Sequence, residues 1–137
     1  MVLNMKSLIY SAFLIFFYLN LFAHHPGHKV EAETPYPTIK LKLIKDDMDG
    51  YNLLIDLNNF TLAPEQVGKK NKPNTGHLHL YVNDIKIARI YSNWIHIPGR
   101  YFNLKKNIIK VTLNTNLYGQ FTIDGNPIQA SIIKSIN

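Results

Sequence analysis

A period of two in the apolar residues, repeated along most of the chain, is the feature that most constrains the fold. In "TIKLKLI", residues 38–44, isoleucine and leucine alternate with lysine, and "YNLLIDLNNF", residues 51–60, carries apolar residues at every second position. Successive side chains of a strand point to opposite faces, so this alternation predicts strands with one buried and one solvated face. Past residue 35 no stretch has a helical period. The sequence therefore predicts an all-β chain.

Turn residues separate the strand-like runs. Asn83-Asp84 and Asp124-Gly125 are dipeptides suited to the two central positions of a tight hairpin. About seven short strands over about 100 residues predict an antiparallel β-sandwich of immunoglobulin-like type. We place this domain at residues 38–137. A small β-barrel is the alternative fold.

The N-terminus has the pattern of an export signal. Residues 8–23, "LIYSAFLIFFYLNLFA", carry no charge and follow Lys6. A basic start before an apolar run is typical of a secretory signal, and the run is short for a membrane span of roughly 20 residues. We interpret residues 1–23 as a signal peptide, with an uncleaved anchor as the alternative, and residues 24–37 as a flexible lead-in. Cleavage after Ala23 or after Ala32 fits equally well.

The predicted product is an exported protein, periplasmic or secreted, with no transmembrane domain after signal cleavage. The chain has no cysteine, which excludes disulfides, thiolate metal sites and a blue-copper centre. No nucleophile motif or phosphate loop is present and no pair of carboxylates is placed for acid–base work, so we predict no enzymatic activity. The chain carries a formal charge of +6, yet it lacks a recognition helix, and we predict no nucleic-acid binding. The basic run "GKKNKP", residues 68–73, is interpreted as a solvated loop, with binding of anionic glycans or a membrane surface as a minor alternative.

The stretch "GHLHLYVNDIKIARIYSNWIHIPGR", residues 76–100, holds three of the six histidines. With Asn83-Asp84 as a two-residue turn, counting outward pairs Val82 with Ile85 and His79 with Ala88. This register predicts a core face made of Leu78, Leu80, Val82, Ile85 and Ile87. It predicts that the opposite face carries His77, His79, Tyr81, Lys86, Ala88 and Ile90.

His77 and His79 have the spacing of a metal-ligand pair. Their Cα atoms are predicted to lie roughly 6.5–7 Å apart, so their imidazoles can converge on one ion at about 2.0–2.1 Å. His96 is the predicted third ligand. With only nitrogen and oxygen donors available, the expected ion is copper or zinc, and binding is expected to weaken as the pH falls through about 6.5. The competing interpretation is a structural or protein-interaction module of the cell envelope, whose histidines are ordinary polar surface groups.

A second copper hypothesis depends on the cleavage site. If the signal is cut after Ala23, the mature chain begins at His24, followed by His25 and His28. A free terminal amine and the imidazole of the first residue can then chelate copper together. Cleavage after Ala32 removes all three of these histidines.

Three long stretches resemble a group of small exported bacterial proteins. They are "DDMDGYNLLIDLNNFTLAPEQVG", "GHLHLYVNDIKIARIYSNWIHIPG" and "IIKVTLNTNLYGQFTIDGNPIQAS", similar to the patterns "G-W-N-L … N-F … A-P-E", "G-H-A-H-L-Y-V-N-G-x-K-x-A-R-x-Y … W-x-H" and "V-T-L-N-A-N … D-G". The resemblance covers nearly all of residues 46–131. The matched positions of the histidine motif are Gly76, His77, His79, Tyr81, Asn83, Arg89, Tyr91, Trp94 and His96.

The resemblance implies export and a compact β-domain rather than a particular activity. It also shows two departures from the group's pattern. Tyr118 stands where the group often carries a histidine after "L-N-A-N", and Asp84 stands where glycine is usual. If that histidine is a metal ligand in the group, Tyr118 or water must take its place in this chain.

Overall fold

The computed structural model describes residues 27–136 of the chain. The strands in this range are β1 (His28–Glu31), β2 (Thr38–Lys45), β3 (Tyr51–Asn58), β4 (Thr61–Leu62), β5 (Thr75–Val82), β6 (Ile85–Ile90), β7 (Trp94–Ile97), β8 (Lys106–Thr115), β9 (Gly119–Ile123), β10 (Asn126–Pro127) and β11 (Gln129–Ser135). Two short 3₁₀ helices, Pro64–Gln66 and Gly99–Tyr101, lie in connections. The prediction of an all-β chain is confirmed.

The strands form two sheets of unequal size. The larger has eight strands in the order β1-β9-β8-β5-β4, with β10 on β9, β11 on β8 and β6 on β5. The smaller sheet has the order β2-β3-β7 and is antiparallel throughout. In the larger sheet β1 runs parallel to β9 and β4 runs parallel to β5, so the prediction of a purely antiparallel arrangement was wrong. Neither parallel pair is joined by a hairpin, and hairpin counting in the sequence therefore did not detect them.

Strand β1 lies inside the segment that was predicted to be a flexible lead-in. Its last residue, Glu31, accepts hydrogen bonds from the Thr122 hydroxyl at 2.7 Å and from the backbone N–H groups of Asp124 and Gly125. These bonds lower the pKa of the Glu31 carboxyl, with the Thr122 bond as the largest cause. The described β-structure therefore includes His28–Glu31, ahead of the predicted start at Thr38.

The two predicted tight turns are present. Asn83 and Asp84 have φ values of 52° and 64°, and Asp124 and Gly125 have 51° and 74°. Positive φ at both central positions is the geometry of the common two-residue hairpin. As predicted, Val82 pairs with Ile85 across the first turn.

One hydrophobic core receives side chains from both sheets. Its most deeply buried members are Leu53 and Ile97 of the smaller sheet and Leu78, Leu80, Ile109, Val111, Leu113 and Phe121 of the larger one. Since side chains alternate along a strand, the residues between these members point away from the core. The outward face of the larger sheet is therefore lined by the intervening polar residues His77, His79, Thr112 and Asn114.

Among residues 27–136, none of the helices has the length and apolarity needed to cross a membrane. The predicted signal peptide, residues 1–23, and the histidines His24 and His25 lie outside the described residues.

Candidate functional site

The outward face of β5 brings His77 and His79 together. Leu78 and Leu80, which flank His79 in the sequence, are fully buried in the core, so the two histidines project to the opposite side. Their ring centroids lie 4.7 Å apart, and their Nε2 atoms are separated by 2.8 Å. The predicted pairing of these two side chains on one face therefore agrees with the geometry.

A β-bulge in the neighbouring strand changes the surroundings of the pair. The ladder between β5 and β6 runs regularly from the turn to Tyr81 and Lys86, and then shifts so that His79 stands opposite Arg89. Ile87 is the extra residue. The prediction that Ala88 faces His79 was wrong, because a bulge inserts one residue and reverses the faces beyond it.

The bulge also corrects the predicted burial of Ile90, which was expected on the histidine face and is only 3% exposed. Ile85 was expected in the core and is 67% exposed, although it keeps its predicted pairing with Val82. The sequence contained a signal for the bulge. In a regular register Arg89 falls on the core face between apolar residues, where an unpaired charge is costly.

A second cationic side chain, that of Arg89, reaches the histidine face through this irregularity. Residues three apart on a regular strand point to opposite faces, but the bulge between Lys86 and Arg89 puts both on the same side. The Lys86 Nζ atom lies 3.1 Å from the Nε2 atom of His79. Sequence analysis placed Lys86 on this face and missed Arg89.

A neighbouring amide fixes the tautomer of His77. The Asn116 Nδ2 atom donates to the Ala63 carbonyl at 3.2 Å, which leaves Asn116 Oδ1 facing His77 Nδ1 at 3.2 Å. Because an amide oxygen only accepts, His77 Nδ1 carries the proton and donates it. His77 is 4% exposed, and its Nε2 atom directs a lone pair toward His79.

The hydrogen bonds around His79 compete with each other. If His79 Nε2 carries a proton, it donates to His77 Nε2 and cannot accept from Lys86. If it carries no proton, it accepts from the Lys86 ammonium, and two lone pairs then face each other at 2.8 Å. A cation bound between the two imidazoles satisfies both lone pairs at once.

Burial and positive charge keep both histidines neutral. Burial, followed by the charges of Lys86, His77 and Arg89, lowers the pKa of His79 to about 3. Burial also lowers the pKa of His77, partly opposed by the hydrogen bond to Asn116. Burial and the Arg89 charge lower the pKa of Lys86. The lone pairs needed for coordination are therefore already free at pH 6.5, and proton competition is expected to begin at lower pH than the sequence predicted.

A cavity of about 770 Å³ opens beside the pair. One wall contains Val67 and Gly68, which are tied to the β8–β9 connection by a bond of 2.9 Å from the Gly68 N–H to the Asn116 carbonyl. The polar residues that line the cavity are His77, His79, Tyr81, Lys86, Arg89, Asn114, Thr115, Asn116, Tyr118 and Gln120. Among residues 27–136, no carboxylate side chain belongs to this lining.

His96 is not part of this constellation. It pairs with Asn52 of β3 in the smaller sheet, and its Nδ1 atom donates to Asn52 Oδ1 at 3.3 Å. Its neighbour Ile97 is fully buried, so His96 points away from the core on the side opposite to the His77–His79 pair. The predicted third ligand is therefore wrong. Within residues 27–136, no group of three or more histidine or carboxylate side chains is arranged to hold a metal ion.

Two other residues considered for metal binding, Tyr118 and His28, lie at different places in the described structure. Tyr118 lines the cavity with a positive φ of 50° and is 87% exposed. His28 lies in β1 opposite Gly119. The terminal-amine hypothesis involves His24 and His25, which fall outside the described residues.

Comparisons with known proteins add no family to this description. No protein-family model matches the chain, and no curated protein or solved structure matches it either.

Proposed function

We propose that this protein binds a transition metal ion through the Nε2 atoms of His77 and His79, with copper as the preferred ion. The observation that carries the proposal is the 2.8 Å separation of these two atoms on a face where the tautomer of His77 is already fixed. Metal-binding histidines commonly donate their second ring N–H to an oxygen acceptor, which orients the ring. Asn116 Oδ1 is such an acceptor for the N–H of His77 Nδ1.

The separation favours copper over zinc. Two nitrogens bound at about 2.0–2.1 Å lie about 2.8–3.0 Å apart across a right angle and about 3.3–3.4 Å apart in a tetrahedron. A separation of 2.8 Å corresponds to the right angle of a square-planar or tetragonal site. Cu(II) prefers this geometry, whereas structural zinc is tetrahedral.

Lys86 must move when the ion binds. Its ammonium group lies 3.1 Å from His79 Nε2, where a metal ion would be repelled by it. The side chain is exposed and has several rotatable bonds, so the ammonium can turn toward solvent. Water or Tyr118 then supplies the remaining ligands.

Copper titration of the purified protein, followed by calorimetry, tests this function. We expect one site with a dissociation constant below about 1 μM, equivalent to roughly 8 kcal/mol. A His77→Ala/His79→Ala double variant should lose this site, and the milder His79→Gln variant should weaken it. His96→Ala is the matched control and should bind like the wild type. Circular dichroism of each variant establishes that it is folded.

Two results would reject the metal function. One is the absence of binding by the folded wild-type protein. The other is equal binding by the double variant, which would assign the copper to other histidines. Either would favour a structural or protein-interaction module in which the histidines form an internal hydrogen-bonded pair.

The resemblance described above supports a wider proposal for the molecule. We infer an exported protein whose two sheets pack as an immunoglobulin-like sandwich, with the metal pair on the outward face of the larger sheet. In the resembling group a histidine often stands at the position of Tyr118, which lines the cavity beside His77. A histidine at that position supports a metal-binding role for the corresponding cavity in proteins of the group.

A further inference from the structure

The cavity beside the histidine pair carries positive charge that no nearby carboxylate balances. Lys86 and Arg89 both line it, and none of the described residues in its lining is an aspartate or glutamate. The ion pair found within residues 27–136 joins Lys110 to Asp84 and involves neither of these two cations. The two cations stand in the cavity wall without an ionic partner in the described part of the chain.

The cavity is also large enough for a ligand. Its volume of 770 Å³ lies within the size range of small-molecule sites.

We propose that this cavity binds a small organic carboxylate, held between the ammonium of Lys86 and the guanidinium of Arg89. Ionised donors bind carboxylates through short, strong hydrogen bonds, and a guanidinium can engage both oxygens. The proposal goes beyond metal binding, since Lys86 and Arg89 form the anion site without any metal.

The position of the anion also links it to the metal. Arg89 stands opposite His79 across β5 and β6, so a carboxylate held by Arg89 and by the displaced Lys86 ammonium lies beside an ion on the pair. Its oxygens supply ligands, and its charge offsets the charges of the metal, Lys86 and Arg89. This linkage, unlike the anion site itself, rests on the proposed metal function.

Calorimetry of the metal-free, full-length exported protein with succinate tests the anion site. Succinate is a dicarboxylate that chelates copper only weakly, and succinamide is its uncharged counterpart. We expect succinate to bind and succinamide not to bind. Lys86→Gln and Arg89→Gln should each weaken the affinity for succinate about tenfold or more, as loss of a charged hydrogen bond does. Lys42→Gln, on an exposed position of β2, is the matched control and should leave the affinity unchanged.

A copper titration with and without saturating succinate tests the linkage. We expect succinate to tighten copper binding at least about fivefold. Copper should tighten succinate binding by the same factor, because coupling between two ligands is reciprocal. This gain should disappear in Arg89→Gln.

The outcomes separate the two proposals. Succinate binding that is absent, or unaltered in both cavity variants, overturns the anion site even if copper binds. Tighter binding of inorganic phosphate than of succinate also overturns it, by assigning the cavity to another anion. Succinate binding that depends on Lys86 and Arg89 in a protein that takes up no copper supports the anion site and rejects the metal function. Copper and succinate that bind without affecting each other reject the linkage.

Discussion

At the scale of single residues, Asn116 determines what the histidine pair can do. Its amide is held by the Ala63 carbonyl, and its oxygen holds the proton of His77 on Nδ1. Without this bond the imidazole is free to rotate and to take the other tautomer. The lone pair of Nε2 would then no longer be directed at the metal position.

Removal of the Asn116 amide should therefore weaken copper binding without removing a ligand. For Asn116→Ala we expect a loss of about 10- to 100-fold in affinity, as is usual for partners of metal-binding histidines. Asn116→Asp keeps an acceptor for the ring N–H and should retain the affinity. Asn58→Ala, which removes an exposed amide of β3, serves as the control. Equal affinities for Asn116→Ala and the wild type in a copper titration would contradict this role.

Lys86 should oppose the metal in the absence of an anion. Its ammonium lies 3.1 Å from a proposed ligand atom, where its charge repels an incoming cation. Lys86→Gln is expected to tighten copper binding about fivefold or more in a buffer without carboxylates, measured against Lys42→Gln. Since the same substitution should weaken succinate binding, we expect the affinities for copper and for succinate to change in opposite directions. Weaker copper binding by Lys86→Gln would count against the proposed geometry.

The lowered pKa of His79 predicts a pH dependence for the stability of the metal-free protein. In the unfolded chain its pKa is about 6.5, and in the folded protein burial and Lys86 hold the pKa at about 3. Between these values the unfolded state binds a proton that the folded state does not. The free energy of unfolding must then fall as the pH falls from about 6.5 toward 3.

Urea unfolding at several pH values, with a chelator present, measures this effect. The wild-type protein should lose stability between pH 6.5 and pH 4, and His79→Gln should lose less over the same interval. The other titrating groups are shared by both proteins, so the difference in slope reports on the pair. Parallel curves for the two proteins would show that His79 titrates normally.

At the scale of secondary structure, the bulge in β6 controls which side chains reach the site. It lets Lys86 and Arg89 share a face and turns Ile90 into the core. A regular hairpin would have placed Ala88 beside His79 and directed Arg89 inward. One extra residue thus adds a second cation, Arg89, to the face that already carries Lys86.

A variant of a buried isoleucine tests this register, with an exposed isoleucine of the same strand as its control. Ile90 is 3% exposed, and Ile90→Ala should lower the free energy of unfolding by about 2–5 kcal/mol, because the lost side chain leaves a cavity. Ile85 is 67% exposed, and Ile85→Ala should change it by less than about 0.5 kcal/mol. Chemical denaturation measures both. A loss for Ile90→Ala as small as that for Ile85→Ala would contradict the bulge.

The sequence predicted the type of most elements but not this irregularity. Alternating apolar residues identified β2 and β3, and the two tight turns were read from dipeptides that tolerate positive φ. The bulge leaves only an indirect trace in the sequence, namely a charged residue at a position that regular counting assigns to the core. Local patterns specify local geometry, whereas a change of register depends on how the whole strand packs.

At the scale of the whole molecule, the sheets decide which histidines can meet. His77, His79 and His96 lie within one 25-residue stretch, yet β5 and β7 belong to different sheets with a shared core between their outward faces. Sequence proximity suggested a common site, and sheet membership, which is a long-range property, excludes it. The pairing of β1 with β9 escaped detection for the same reason, since its partners are distant along the chain.

The central claim is that one metal ion is held by the two imidazoles of β5. Electron paramagnetic resonance of the protein with less than one equivalent of Cu(II) tests it most directly. We predict an axial spectrum with hyperfine coupling to imidazole nitrogens that is unchanged in His96→Ala and lost in the His77→Ala/His79→Ala variant. The same nitrogen-coupled spectrum in the folded double variant, or no protein-bound signal in the wild type, would contradict the account.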